Sequence, residues 1–325
     1  MKRKDSLARK AMKLLCFLLG LIFTVMLSGT LLFHHYLENI QFKPSQSSEK
    51  GGILEVFSAI PLGSSGSERI GGPGSDLVNI LLIGQDAREG ENQARSDSMI
   101  LCTYNKKTQT MTATSILRDL YLPIPGHGSN RINAAYSYGG ASLLKKTIDQ
   151  NFNVFIDGCV EVDFAHFAEI IDHLGGVDIE LRQDEAEELN RQTGSDLTEG
   201  THRLNGFQAL TYSRIRKLDI DGDFSRTSRQ RKVISALADS LRGSSMKELT
   251  DLIGKILPML TTDLSRGQLL LYAVEIVPHL SEMSVTSQRI PADGTFTEEM
   301  VDGMSVLVAD TAAQRKYLQN TLLSN

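Results

Sequence analysis

Arg214, Arg216, Lys217, Arg226 and Arg229 fall within seventeen residues, with Asp219, Asp221 and Asp223 among them and Gln230 at the end. Arg214 and Arg216 are two apart, so on an extended segment they leave the chain on one face. Arg226, Arg229 and Gln230 are three and four apart, so on a helix they share a face. Planar guanidinium forks engage phosphate oxygens in pairs. Two local geometries aimed at one point ask for a polyanion such as a pyrophosphate. The bland alternative is an amphipathic core helix with a charged first turn. Arginine in a first turn opposes the helix dipole, however, unless an anion is bound there.

Carboxylates accompany this cluster. Gly84-Gln85-Asp86-Ala87-Arg88 closes one apolar run, and Arg95-Ser96-Asp97-Ser98 opens the next. Asp86 and Asp97 therefore stand at the two ends of one connection. Hard carboxylate oxygens beside a phosphate site suit Mg²⁺ or Mn²⁺. The competing reading is that both aspartates cap turns or pair with Arg88 and Arg95. Arg118-Asp119 follows the apolar Ile116-Leu117, either as a surface ion pair or with Arg118 in the same anionic pocket. His127, in the loop Pro123-Ile124-Pro125-Gly126-His127-Gly128, reads as a solvated residue. The chain has no H-E-x-x-H, no G-x-S-x-G elbow and no P-loop, so zinc protease, serine hydrolase and nucleotide-motor chemistry lack their parts.

The elements that must position these groups alternate. The continuous apolar run at 77–83 predicts a buried strand, with further strand candidates at 98–104 and 111–116, followed by strands at 158–162, 177–181 and 284–290. Helical spacing predicts helices over 133–152, 164–174, 205–212, 225–241, 246–260, 265–280 and 310–323. This is an α/β pattern, a central mixed sheet flanked by helices. Cys102 and Cys159 fall in predicted strands and read as small buried hydrophobes rather than a disulfide.

Charge and hydropathy divide the chain before that domain begins. Residues 1–13 carry six basic side chains against Asp5, a net +5; since the whole chain stands at −5, the rest stands at −10. An acidic body argues against nucleic-acid binding, which needs an extended basic footprint. Residues 14–33 hold no charge, and a helix of that length spans roughly the 30 Å core of a bilayer. The basic flank predicts a single-pass anchor with residues 1–13 in the cytoplasm and the remainder outside. Cleavage as a signal peptide is the weaker reading, because the run is long and no small-x-small site follows it. Residues 34–76, with Gly63-Ser64-Ser65-Gly66-Ser67 and Gly71-Gly72-Pro73-Gly74, read as a linker to a domain at 77–325.

Several motifs in fixed order resemble the LytR-CpsA-Psr family of bacterial envelope proteins. They are Gly84 to Arg88, Arg95-Ser96-Asp97-Ser98-Met99, Ser115-Ile116-Leu117-Arg118-Asp119, Arg131-Ile132-Asn133-Ala134-Ala135-Tyr136, Leu174-Gly175-Gly176-Val177, Leu204-Asn205-Gly206 with Ala209-Leu210, and the 214–230 block. The resemblance covers about 77–241; the helices of 246–325 carry no motif of it. It implies a membrane-anchored phosphotransferase outside the cell membrane of a Gram-positive type of bacterium. Such an enzyme moves a glycopolymer, of teichoic acid or capsule type, from undecaprenyl pyrophosphate to peptidoglycan. It further implies metal ligands at Asp86 and Asp97, and pyrophosphate contacts from Arg95, Arg118, Arg214, Arg216, Arg226 and Gln230. The polyprenyl tail would lie between sheet and helices. Asp97 or Asp119 would act as general base beside Arg118. Leu117 stands where the family usually has proline. Two alternatives remain open at this level: a polyprenyl pyrophosphate hydrolase, and a non-enzymatic lipid-binding or regulatory protein.

Overall fold

The computed structural model describes residues 41–42, 69–86, 95–216, 218, 222–241, 246–279 and 282–323. The apolar segment 14–33 and most of the 34–76 linker lie outside them, as do Lys217, Asp219 and Asp221. In chain order the elements are β1 (Gln41–Phe42), β2 (Leu77–Asp86), β3 (Arg95–Asn105), β4 (Thr110–Ile116), β5 (Tyr121–Ile124), β6 (Gly128–Arg131), α1 (Ile132–Phe152), β7 (Gly158–Asp163), α2 (Phe164–His173), β8 (Val177–Leu181), α3 (Gln183–Thr193) and β9 (Gly200–Leu204). There follow α4 (Gly206–Arg214), α5 (Gly222–Leu241), α6 (Met246–Ile256), β10 (Thr261–Thr262), α7 (Arg266–Ile276), β11 (Ser284–Ile290), β12 (Phe296–Val301), β13 (Met304–Ala309) and α8 (Thr311–Leu323).

A mixed sheet in the order β1-β10-β7-β2-β3-β4-β11 forms the centre. β2 runs parallel to β7, and β4 parallel to β11, while β3 is antiparallel to both β2 and β4. One edge therefore gathers the C-terminal ends of β2, β7, β4 and β11 and the N-terminal end of β3. The candidate residues that follow or end these strands must meet there.

The strand alternation splits the sheet into two unlike faces. Leu81, Ile83, Met99, Leu101 and Cys159 point to one side and form the main core with Ala135, Leu144, Ile148 and Phe152 of α1 and Leu318 and Leu322 of α8. Val78 and Tyr104 point to the other, where Met283, Tyr272 and Ile276 meet them. A separate core joins Ile171, Ile179, Leu189, Ala209, Tyr212 and Val233 from α2, β8, α3, α4 and α5. Cys102 pairs with Ile80 and Cys159 with Leu81, so β2 runs between the two thiols and they face opposite sides; both are free.

The predicted central strands and the principal helices are present, and four expectations need correction. The proline loop at 121–131 is a hairpin, with Tyr121 opposite Arg131 and Ile124 opposite Gly128. The 133–152 helix breaks at Gly139 and Gly140, the latter at φ 60°, a backbone region open to glycine. The helices expected over 246–260 and 265–280 stop at Ile256 and Ile276 and end in single 3₁₀ turns carrying Pro258 and Pro278, since proline lacks the N–H an α-helix needs. Residues 246–325 are not only helical: β12 and β13 form a hairpin whose turn, Asp302-Gly303, has φ 49° and 76°.

Candidate functional site at one sheet edge

The β2–β3 ladder pairs Gly84 with Ser98, then Gln85 with Ser96 and Asp86 with Arg95, leaving Asp97 as the extra residue of a bulge. Such a bulge re-aims the strand end. Asp86 and Asp97 are thus on neighbouring strands within about 5–8 Å of each other, the reach of direct and diagonal cross-strand pairs. The side chains of Asp86, Arg95 and Asp97 lie outside the described part of the structure. No group of three His, Cys, Asp or Glu able to hold a metal occurs among the described residues.

Arg118 and Asp119 follow β4 at the same edge. Arg118 Nε lies 3.5 Å from Asp119 Oδ2, and Arg131 Nη1 lies 3.3 Å from Asp119 Oδ1. Arg131 also donates to the Ser305 carbonyl on β13. Asp119 is therefore a brace between two guanidinium groups, with Arg131 tied back to the C-terminal hairpin. The Asp119 carbonyl accepts from Leu307 N–H at 2.9 Å, which fixes the backbone there as well.

The 214–230 block arrives from the third core. Asn205 caps α4 and Gln208 reaches back to it, so that start is fixed by a reciprocal capping box. At the other end the Arg214 guanidinium lies over the Phe164 ring, 4.6 Å from its centroid. Phe164 follows Asp163, which is opposite Gln85 in the ladder, so Arg214 stands at the same sheet edge. Arg216 is exposed, free to reach a ligand. On α5, Arg226 is buried at 2 % exposure, and Gln230 accepts a hydrogen bond from Ser98 Oγ at 3.1 Å. That bond brings the helix onto β3 beside the bulge.

The shared helical face expected for Arg226, Arg229 and Gln230 does not hold for all three. Arg229 turns away: its Nε donates to Glu185 Oε1 at 2.8 Å and its Nη1 to the Ile215 carbonyl at 3.0 Å. Residues three and four apart flank one stripe, but adjacent Arg229 and Gln230 diverge by about 100° on a 3.6-residue helix. Arg229 holds the 214–216 segment in place from beneath.

A polar network that the motifs did not disclose lies behind the site. Gln85 Nε2 donates to Tyr136 Oη at 2.6 Å and also to Glu161 Oε2, and the Tyr136 hydroxyl donates to the same Glu161 oxygen. Burial, then the hydrogen bond to Glu161, pushes the Tyr136 hydroxyl well above the usual tyrosine range. This network locks Gln85, the residue next to the bulge. Tyr136 lies within one of the matched motifs, but its partner Glu161 is an isolated acid in a strand and carried no signal.

The fold and this edge define an α/β protein with arginines gathered at the ends of its central strands. The chain belongs to the LytR_cpsA_psr family, whose model matches residues 63–322. TagT of Bacillus subtilis (strain 168), a polyisoprenyl-teichoic acid–peptidoglycan teichoic acid transferase, is 38% identical over 198 residues, 58% of this chain and 61% of TagT. That match spans less than two thirds of the relative's length. A solved structure of TagT bound to LIIa-WTA superposes with a TM-score of 0.64 at 31% identity, covering 79% of this chain and 95% of the other. A second, YwtF (TagT) with bound octaprenyl pyrophosphate lipid, gives 0.60 at 29% identity over the same shares.

Proposed function

We propose that the protein is a membrane-anchored phosphotransferase that joins a glycopolymer from an undecaprenyl pyrophosphate carrier to peptidoglycan outside the cell. The observation that carries this reading is the convergence at one sheet edge of the Asp86–Asp97 bulge, Arg118, Arg214 and the Ser98–Gln230 contact. The anchor is assigned to 14–33 from its sequence. The TagT relative is a polyisoprenyl-teichoic acid–peptidoglycan teichoic acid transferase, and a TagT structure holds octaprenyl pyrophosphate lipid.

The sheet itself supplies a place for the apolar tail. Ile80, Leu82, Cys102, Val160 and Val162 share one face and are only half-buried, whereas Leu81, Ile83, Leu101 and Cys159 on the other are closed off. Apolar surface left partly open in the middle of a sheet suits a hydrocarbon chain. Its polar end then meets the arginines at the strand ends.

In the reaction, Arg95, Arg118, Arg214, Arg216, Arg226 and Gln230 hold the pyrophosphate oxygens. Asp86 and Asp97 offer hard oxygens at neighbouring strand positions beside that anion, a donor set that fits Mg²⁺ or Mn²⁺. Such an ion, when bound, neutralises phosphate charge. A peptidoglycan hydroxyl oxygen attacks the sugar-linked phosphorus, and the bond from that phosphorus to the bridging oxygen breaks. Polyprenyl phosphate departs with the bridging oxygen, and a phosphodiester remains. The hydroxyl proton passes to a carboxylate. We assign Asp97, because Arg118 and Arg131 already engage both oxygens of Asp119. Positioning and charge stabilisation supply most of the rate in phosphoryl transfer.

The test uses the full chain in detergent with a polyprenyl-pyrophosphate oligosaccharide, peptidoglycan oligomers and Mg²⁺, with products read by mass spectrometry. A glycan–phosphodiester–peptidoglycan adduct is expected. Free sugar phosphate alone would replace this reading with hydrolysis, and unchanged bound lipid would replace it with a binding or regulatory role.

A further inference from the structure

α7 (Arg266–Ile276) uses only one of its sides in the fold. The inner side is fixed to the sheet: Tyr272 and Ile276 meet Val78 and Tyr104, and Lys106 Nζ donates to Glu275 Oε1 at 3.0 Å. On the outer side Gly267, Leu271 and Val274 follow at spacings of four and three, which places them on one stripe. All three are exposed, as is Pro278 in the 3₁₀ turn that continues the helix. Leu271 is 50% exposed and Val274 66%. None of the four side chains carries a charge or a hydrogen-bonding group. The solvent face of a helix is ordinarily polar, so an apolar stripe in that position marks a contact surface.

The course of the chain points to the partner. β1 (Gln41–Phe42) is the marginal strand of the central sheet and pairs with β10 (Thr261–Thr262). β10 leads through residues 263–265 directly into α7. Only residues 34–40 separate β1 from the uncharged segment 14–33. Seven extended residues reach about 25 Å, whereas a compact domain of this chain length is about 50 Å across. With 14–33 as a bilayer anchor, β1 and the strand paired to it are therefore held to the membrane side of the domain. The first turn of α7 follows that strand closely.

We propose that the Leu271–Val274 stripe of α7 docks on the outer surface of the lipid bilayer. The proposal rests on the anchor of the reading above and not on its transfer chemistry. Small apolar side chains on one helix face settle at the boundary between headgroups and acyl chains. The inner side of the same helix covers the half-open sheet face, since Ile80 packs in one cluster with Tyr272 and Ile276. Docking therefore sets that face against the leaflet, and a polyprenyl tail passes from bilayer to sheet without crossing water.

The experiment places the full chain in vesicles of phosphatidylethanolamine and phosphatidylglycerol. In a Cys16→Ser/Cys102→Ser background, single cysteines replace Leu271, Val274 or, as a control, Met300, which is 69% exposed on β12. Each is labelled with an environment-sensitive fluorophore, and quenching by lipids that carry a nitroxide near the top of the acyl chain is read. Positions 271 and 274 are expected to emit to the blue of position 300 and to be quenched several-fold more by these lipids. A blue shift without lipid quenching overturns the proposal, because residues 53–60 or a second copy of the chain then cover the stripe. Emission and quenching like those of position 300 overturn it as well, because the stripe then faces water. A chain that alkaline carbonate strips from the vesicles refutes the anchor and this placement together; a chain that stays, with quenching at the control level, refutes the placement alone. Leu271→Asp/Val274→Asp, both at exposed positions, is expected to melt like wild type. It is also expected to slow crosslinking to a photoreactive octaprenyl pyrophosphate in the same bilayer by about tenfold, with binding of that lipid in detergent unchanged. Crosslinking as fast as in wild type removes the role in loading. Neither readout requires transfer to peptidoglycan, so failure of the transferase reading is seen separately.

Discussion

Arg229 and Glu185 form an ion pair at 2.8 Å with each side chain 2% exposed. The pair ties α5 to α3, and the Ile215 carbonyl on Arg229 Nη1 ties both to the segment that presents Arg214 and Arg216. Removing one partner of a buried pair strands the other's charge, at a cost of about 3–5 kcal/mol. Arg229→Ala and Glu185→Ala are each expected to lower the unfolding free energy measured in urea by that order. Arg229→Met/Glu185→Leu is expected to lose much less than the sum of the two. A double variant as unstable as that sum would show that the pair does not act as a unit.

Arg214 contributes little to its own core, since it is exposed and its guanidinium rests on the half-buried Phe164 ring. Arg214→Ala is therefore expected to melt close to wild type and to lose about 10²–10³ in transfer rate, the scale of one lost electrostatic donor. Arg118→Ala is expected to match it in rate. It also breaks the contact with Asp119, a partly exposed pair worth about 0–1 kcal/mol. Steady-state transfer assays with parallel melting curves decide; a fall in rate that only tracks lost stability would remove both residues from the site.

Much of this edge was legible because strand ends are punctuated in sequence. The runs at 77–83 and 98–104 have charged residues at their ends, and the ladder joins those ends. Asp86, Arg95 and Asp97 were therefore readable as neighbours before any register was known. The division of labour on α5 was not. Spacing places Arg226, Arg229 and Gln230 close together, but only the position of Glu185 on α3 decides that Arg229 is structural. That helix was itself missed, because Gln183-Asp184-Glu185 and Glu187-Glu188 leave Ala186 and Leu189 as its buried apolar residues. The β12–β13 hairpin was missed for a related reason. β12 is largely exposed on both faces, so it has no period-two apolar signal. Its Asp302-Gly303 turn was the cue that sequence did offer.

Cys102 and Cys159 should be inert in the folded protein. Burial raises each thiol from 9.0 to about 12, and only the thiolate is alkylated. In a Cys16→Ser background, iodoacetamide at pH 8 is expected to label neither until urea unfolds the chain, as counted by intact mass. The shift also has a stability consequence. Both thiols stay protonated when folded but ionise near 9 when unfolded. Their contribution is thus complete below pH 9 and is lost as pH rises towards 12. Fast labelling of Cys159 in the native protein would refute its buried placement.

The final prediction concerns how α4 is seated. A Cβ on Gly206 would stand 2.0 Å from the Ala168 carbonyl oxygen and 2.9 Å from its Cα, so backbone on α2 would have to move. Gly206 N–H also donates to Asp172 Oδ1 at 2.7 Å, which holds the two helices at this separation. Overpacking of a tight contact costs about 1–3 kcal/mol. Gly206→Ala is expected to destabilise the protein by at least that order in urea. Because α4 carries Arg214 at its other end, onto Phe164 at the start of α2, the same substitution is expected to weaken octaprenyl pyrophosphate binding under conditions where the variant is still folded. Asn205→Ala removes the cap at the same helix start, at about 1 kcal/mol, but leaves the α2–α4 spacing alone. It should therefore lower stability without that loss of affinity. If the two variants weaken binding equally for equal loss of stability, helix spacing is not what positions Arg214.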